Sequence, residues 1–524
     1  MKRLFASALA FLALLPALAA AQTGPTLPAN TVWGRTGTSP GPAQAIPFAT
    51  LSAQMWGTVP NNTVLGNVSG STALMASLNA TQLTTLCNTF TTSLKGCVPA
   101  SGGGTTTFLR ADGTFATAVP TGGTQGQTLV KNSVTNGDAS WRSQCLNITA
   151  FGGAGDGATA NDTAFSNAYS ALPATGGCIY FPAAASTYNF TSAVSKTMPN
   201  ARFSLTIEGD GAVNSILHWP NASGGITLTA SNTQNTFHIR NMTFSTAQVG
   251  SGTALHFVGV GANNGQYYQS DISNIQIHGD DIGTSTPTLH YWSTAIYIHN
   301  WAAIDISNTN TYGPHQAPAS AGGGTGINIE GDSGTGSYAT IINIARSSFN
   351  HHVMGMLLGS YWQGITCEAC NFNGAVGNNC VLANGASGTN VLLNFTNSQF
   401  NCGAGGAQIN LNQPVLDFTL MSSTITTAGN GNSGVLISGA GSLDPIIIGN
   451  NFNLFGSPTG TFCIASAGTN GIILGNSFSQ CATPVNLTAA SSNTGVSQNR
   501  YRSGASSASN VNGGTGNNMG TATQ

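Results

Sequence analysis

The chain has 524 residues, of which only 5% are Asp, Glu, Lys or Arg, and its formal net charge is -2. Thirteen dispersed Lys and Arg make no basic stripe for phosphates, which excludes a nucleic-acid binder. The length exceeds the roughly 100–200 residues of an ordinary domain, so several domains or one repetitive domain are expected. Abundant Gly, Asn, Ser and Thr suit neutral, hydroxyl-rich partners or an inert stalk.

Residues 1–21 open with Lys2 and Arg3, continue as an apolar run from Leu4 to Leu18 and close on Ala19-Ala20-Ala21. This is the pattern of a cleaved secretory signal peptide and predicts a secreted or cell-surface bacterial protein. The run is too short for a membrane span, and no later stretch reaches the ~20 apolar residues one needs. Ten Cys fit an oxidising destination, with Cys87–Cys97 and Cys463–Cys481 as the first expected pairs. Cys367-Glu-Ala-Cys370 has the spacing of a metal-ligand pair but lacks a second pair with His, so neither a metal nor a cofactor is expected.

Residues 22–144 are rich in Gly, Pro, Ser and Thr and read as a low-complexity stalk or linker. A short helix is expected around residues 78–90 with Asn79 as its cap. Two phrases echo one another, Asn30-Thr31-Val32-Trp33-Gly34 and Asn62-Thr63-Val64-Leu65-Gly66. Together with Phe108 to Phe115 and Asp138 to Trp141, these units resemble the modules of phage tail-fibre and tailspike-like stalks. That resemblance implies stability through chain-to-chain packing, and so a homotrimer through residues 22–144.

From Ile148 the chain carries Gly155-Asp156-Gly157, then Asn161-Asp162-Thr163, then Gly176-Gly177-Cys178-Ile179-Tyr180-Phe181-Pro182. Apolar residues at Ala164, Phe165, Ala168, Tyr169 and Leu172 have helical spacing, with Asn161 or Asp162 as N-cap. A short helix before a stack of strands covers the open end of a solenoid, where core and backbone groups would otherwise be exposed. The stretch resembles the N-terminal signature of the pectate-lyase-like superfamily, in the branch of tailspikes and secreted polysaccharide-degrading enzymes. The resemblance implies an all-β, right-handed parallel β-helix over residues 145–505 with a short N-terminal capping helix.

The remaining sequence supports that fold independently. Strands of alternating character end on Phe349, Phe372, Phe400, Ile425, Phe452 and Phe478, in steps of 23, 28, 25, 27 and 26 residues. A second series, including Ala295 to Ile298, Gly326 to Ile329 and Gly434 to Ile437, lies between them. Two or three strands per coil of this length, with Asn and Gly at the turns, are the pattern of a β-helix; a propeller blade would need ~40–50 residues. Alternation sends Ile, Leu and Phe inward. Asn371 and Asn451, before the closing Phe, are expected at tight bends.

Cleavage of a glycosidic bond needs two carboxyl groups about 5–10 Å apart, which acids one or two coils apart on one face supply. The densest stretch runs from His299 to Glu368 and holds Trp301, Asp305, Tyr312, His315, Glu330, Asp332, Arg346, His351, His352, Tyr361, Trp362 and Glu368. Glu330 or Asp332 is expected as the acid, with Asp305 or Glu368 as partner. His299, Trp301, Arg346, His351, Tyr361 and Trp362 are the expected substrate-binding residues, with the aromatics as stacking platforms. Turn formation by Asp305 and Asp332 and packing by Trp362 are the competing readings. The scarcity of Lys and Arg disfavours polyanionic pectin and points to a neutral or weakly charged extracellular glycan. Two functions remain open: a glycan depolymerase, hydrolase or lyase, and a noncatalytic fibre, adhesin or glycan-binding rod. Residues 506–524 lack an apolar pattern and are expected to be a disordered tail.

Overall fold

The computed structural model of the chain describes residues 27–56, short stretches between 64 and 143, and residues 145–520 apart from several loops. They fall into two units, 1–121 and 122–524. The expected signal peptide, Cys87, Cys97 and His315 lie outside the described residues. No helix among the described residues is long and apolar enough to cross a membrane.

In the first unit the two echoed phrases are one ββα motif used twice. Thr31–Gly34 pairs antiparallel with Gln44–Pro47 and is followed by the helix Phe48–Trp56. Val64–Gly66 pairs with Ala76–Leu78 and is followed by the helix Ala80–Leu86. The glycine closing each phrase faces a buried aliphatic side chain: a Cβ on Gly34 would stand 2.7 Å from Ile46, and one on Gly66 2.7 Å from Leu78. The expected Asn79 cap is a reciprocal capping box, in which the Gln82 amide donates to Asn79 Oδ1 (2.8 Å) and the Asn79 amide to Gln82 Oε1 (3.0 Å).

The second unit contains a right-handed parallel β-helix of three sheets. Sheet one runs from Gly176–Phe181 through Phe203–Gly209, Ala302–Ser307 and Trp362–Glu368 to Asn518–Met519. Sheet two runs from Tyr188–Asn189 through Ile216–Trp219 and Asn371–Asn373 to Arg500–Tyr501. Sheet three has 12 strands, from Val194–Thr197 through Thr294–His299 and Thr325–Glu330 to Val511–Asn512. The long strands Asn235–Thr246 and Ser270–Gly279 bend at Asn241 and Asn274 and serve both sheets one and two.

The closing series read from the sequence is a single register ladder, with Tyr501 added at its end. A parallel ladder in sheet one runs Ile207, Ile239, Ile272, Ile306, Ile344, Cys367, Phe395 and Leu420. Both are buried apart from the half-buried Tyr501, and each large side chain removed from water contributes about 1.5–3 kcal/mol. The corner between sheets one and two is made by one residue per coil at positive φ, including Asn308, Arg346, Ala369, Asn397 and Gly449. The bends are therefore at Ala369 and Gly449, two residues before Asn371 and Asn451, which instead open the following strands.

The residue after each bend points inward, and from Ser398 onward these residues form a buried polar ladder. The Ser423 amide donates to Asn450 Oδ1 (2.9 Å), the Asn450 amide to Asn476 Oδ1 (2.9 Å) and the Asn476 amide to Asn499 Oδ1 (2.8 Å). On the outside of the corner, Asn274 Nδ2 donates to Asn241 Oδ1 (3.0 Å) and Asn308 Nδ2 to Asn274 Oδ1 (3.3 Å).

The helix Asp162–Ser170 buries Ala164, Phe165 and Ala168 against the start of the core. Neither expected cap residue caps it through its side chain. Asn161 is fully buried and bonds Ala154, Thr159 and Asn189, while the Asp162 carboxylate accepts the Thr191 and Ser192 amides at 2.9 and 3.0 Å. At the other end the expected tail continues the rod, since Val511–Asn512 pairs with Asn486 and Leu487, and Asn518–Met519 with Gly495 and Val496. The described cysteines form four disulfides: the expected Cys463–Cys481, together with Cys145–Cys178, Cys367–Cys370 and Cys380–Cys402. Cys367 and Cys370 thus close on each other inside the rod.

Candidate functional site

The residues expected to form one site are distributed over different faces. Trp301 and Trp362 are 0% exposed and belong to the core, so neither is a stacking platform. Each follows a residue at positive φ, Asn300 and Tyr361, and that reversal turns the next side chain inward. Arg346 occupies a corner position and donates from Nε to Asn308 Oδ1 (3.1 Å). His351 is a turn residue at positive φ whose amide donates to the Asn373 carbonyl (2.7 Å). Its neighbour His352 is buried with Nε2 2.8 Å from Thr311 Oγ1, and burial pushes its pKa down to about 3. Tyr361 packs edge-on against Tyr338, with ring centroids 5.3 Å apart.

His299, Glu330 and Asp332 do come together, on sheet three. His299 and Glu330 are register partners on adjacent coils, as expected. The Tyr297 hydroxyl donates to Glu330 Oε1, and its ring stacks on His256 with centroids 4.5 Å apart. Burial, then the Glu330 hydrogen bond and charge, push the Tyr297 pKa up, so the phenol keeps its proton and fixes Glu330. Glu330 also lies against Gly359, where a Cβ would overlap Oε2. Asp332 accepts from the Gly334 amide (2.8 Å) and Thr335 Oγ1 (2.9 Å), and these bonds lower its pKa; it ties its own turn. Asp305 and Glu368 are on sheet one, so the expected pairing of Glu330 or Asp332 with either is not assembled.

The outer face of sheet one holds a different constellation. His238, Asp271, Asp305, Asn343 and Thr366 occupy one register row on successive coils. Asp271 accepts from Arg240 Nε (2.8 Å) and Nη2 (2.5 Å), and His238 Nδ1 lies 2.5 Å from its Oδ1. Burial raises the Asp271 pKa, but hydrogen bonds and charge from Arg240 and His238 outweigh it and hold the group well below the ordinary carboxylate range. Asp305 accepts from Asn343 Nδ2 (2.9 Å), and Asn343 Oδ1 accepts from Thr366 Oγ1 (2.8 Å).

Beside this row lies a 510 Å³ cleft lined by residues that include Arg202, Gln234, Thr236, His238, Tyr268 and Gln269. Tyr268 is exposed, with the Arg202 guanidinium 5.3 Å from its ring centre. His238 belongs to both the cleft and the carboxylate cluster, and so joins the cleft to titratable groups. His238 and Arg240 sit at outward positions of a strand legible in the sequence; their partner Asp271 is 33 and 31 residues further on. The available signal is a His and an Arg two apart on a strand otherwise without ionisable side chains. Residues able to hold a metal ion are gathered elsewhere, on sheet two.

No protein-family model matches the sequence, and no curated protein is similar to it. Among solved structures, the chain is similar to Geobacillus virus E2 ORF18, with 14% identity and a TM-score of 0.36 over 75% of this chain and 66% of that one. It thus spans just under two thirds of that protein. It is also similar to the A-module of an Azotobacter vinelandii mannuronan C-5 epimerase, with 13% identity and a TM-score of 0.41 over 71% of this chain and 95% of that one. A third similar structure is PfbA, a surface adhesin of Streptococcus pneumoniae, with 12% identity and a TM-score of 0.40 over 68% of this chain and 90% of that one.

Proposed function

We propose that this chain is an extracellular glycan-active β-helix, binding a neutral or weakly charged polysaccharide in the sheet-one cleft and hydrolysing it with Asp271 and Asp305. The carrying observation is the continuity between cleft and carboxylates through His238. Tyr268 offers an aromatic face to a sugar ring, and Gln234, Thr236 and Gln269 offer hydrogen bonds to hydroxyls. Adjacent coils are ~4.8 Å apart, a spacing that brings two carboxyl groups to either side of one glycosidic bond. Asp271 is the ionised member, stabilising positive charge at the sugar carbon or activating water, and Asp305 is the second carboxyl group of the pair.

The test is incubation of the full-length secreted chain with a panel of neutral and weakly acidic bacterial exopolysaccharides, followed by size analysis and reducing-end release. Cleavage that is lost in Asp271→Asn and Asp305→Asn carries the reading. Cleavage unaffected by both substitutions refutes this site, and products absorbing as unsaturated sugars refute hydrolysis.

The oligomeric-fibre part of the alternative reading has a separate observation behind it. Leu27, Trp33, Phe48, Met55, Val64, Met75 and Leu83 are all exposed in the first unit. Copies of the same segment packed together would cover such side chains, as in a homotrimer through residues 22–144.

A further inference from the structure

On sheet two, His218, Ser245 and His278 share one outward row on successive coils. The strand Ser270–Gly279 ends beside this row, and the chain turns there: the Asp280 amide donates to the Thr246 carbonyl (2.9 Å). The chain comes back at His290, whose amide donates to Asp281 Oδ2 (3.1 Å). A glycine at position 279 is what allows this closure, because a Cβ there would run into the His290 carbonyl oxygen.

The closure gathers metal-ligand side chains. Asp280 Oδ1 is 2.5 Å from His290 Nδ1, and Asp280 Oδ2 is 3.8 Å from His218 Nε2. One ligand atom from each of Asp280, Asp281 and His290 lies within 4.8 Å of the others. Asp281 is 7% exposed and His278 9%, so two of the polar side chains gathered here are more than nine-tenths buried. His278 Nδ1 lies 2.7 Å from the Gly279 carbonyl oxygen; a proton on Nδ1 satisfies that contact and leaves the lone pair on Nε2. The chain has 15 acids and 9 His in all, and two of the former and three of the latter meet here. Both ion partners of Asp280 are histidines.

We propose that Asp280, Asp281, His290 and His218 form a binding site for one divalent first-row transition ion, with His278 as an oriented neighbour, where the loop after Gly279 is fastened to sheet two. Ligand atoms about 2.1 Å from a common ion stand roughly 3–4 Å apart, so shifts of about an ångström convert the spacing of Asp280, Asp281 and His290 into a coordination shell, and His218, 3.8 Å from Asp280, approaches it from sheet two. Mixed imidazole and carboxylate donors select zinc and its neighbours over calcium and magnesium, which take oxygen. The site borders a 490 Å³ cleft on sheet two, separate from the glycan cleft, and does not depend on the reading of that cleft.

The test uses the untagged full-length protein, stripped with chelator and titrated with Zn²⁺ by calorimetry, with Ca²⁺ and Mg²⁺ as comparators and Co²⁺ for its visible absorption bands. One equivalent of Zn²⁺ is expected, with Co²⁺ bands of imidazole–carboxylate ligation. Affinity should fall at least tenfold in Asp280→Asn and in His290→Gln, and stay unchanged in Glu368→Gln on sheet one. If either cluster variant fails to fold by circular dichroism, His218→Asn carries the same test. The proposal is overturned by the absence of saturable Zn²⁺ binding, by unchanged affinity in the folded cluster variants, or by tighter binding of Ca²⁺ than of Zn²⁺.

Discussion

Asp271 and Asp305 occupy one register position on successive coils, yet each is bonded away from the other: Asp271 to Arg240 on the coil before it, Asp305 to Asn343 on the coil after it. Substitution of either carboxyl by its amide preserves size, but at position 271 it replaces one of the two oxygens that accept from Arg240, whereas at position 305 the single bond from Asn343 can be kept; Asp305→Asn should therefore retain glycan binding while turnover falls about 10²–10⁴-fold. Parallel assays of retention on immobilised glycan and of reducing-end release measure the two effects separately.

Tyr268 gives a complementary expectation. Its ring is exposed at the cleft and lies outside the buried core, so Tyr268→Ala should leave thermal unfolding unchanged. Loss of one sugar-stacking surface should weaken glycan affinity about tenfold, read by calorimetry with the polysaccharide that the chain retains.

The buried imidazole of His352 makes stability depend on pH. Its folded pKa is about 3, below the unfolded value near 6.5, so its contribution is fully present above pH ~6.5 and is lost as pH falls towards 3. Across that window one proton uptake gives a slope of about 1.4 kcal/mol per pH unit. Denaturant unfolding between pH 4 and 7 should show a slope smaller by about one proton in His352→Gln than in the parent chain.

The two corner ladders should differ in energetic weight. Asn476 is fully buried, accepts the Asn450 amide and donates to the Ile447 carbonyl (2.8 Å), so Asn476→Ala strands backbone groups and should cost about 2–4 kcal/mol. Asn274 makes its 3.0 Å bond on the exposed side of the corner, and Asn274→Gly, which keeps the left-handed conformation, should cost under about 1 kcal/mol. Thermal unfolding of the two variants compares them directly.

The exposed apolar side chains of the first unit predict self-association. Sedimentation of the full chain should give a trimer, and a triple substitution of Trp33, Phe48 and Met55 by Ser should shift it towards monomer without changing the β-helix circular dichroism. A monomeric parent chain would remove the oligomeric stalk.

The rod was legible because its signal is repeated: Phe349 to Phe478 are inward positions at nearly constant intervals, and one-dimensional spacing is enough to find them. The ββα unit was visible only as an echoed phrase, since its helices are short and its pairing is local. Of the expected site residues, the candidate site contains only Asp305. Density of chemical residue types along the chain pointed to 299–368, but the third dimension regroups residues by coil, placing His238 beside Asp271 and leaving Glu330 with Tyr297. Alternation also fails across a left-handed residue, which is how Trp301 and Trp362, counted as surface, belong inside.

The strands that bend at Asn241 and Asn274 set a relation between two surfaces. Before the bend they carry His238 and Asp271, and after it Ser245 and His278, so both faces are parts of the same two backbones. The corner acts as a bracket of fixed angle. A polymer lying along the axis of the rod meets only one face, whereas one crossing the corner reaches both, and the direction in which a chain molecule is laid down would decide which set of side chains it encounters.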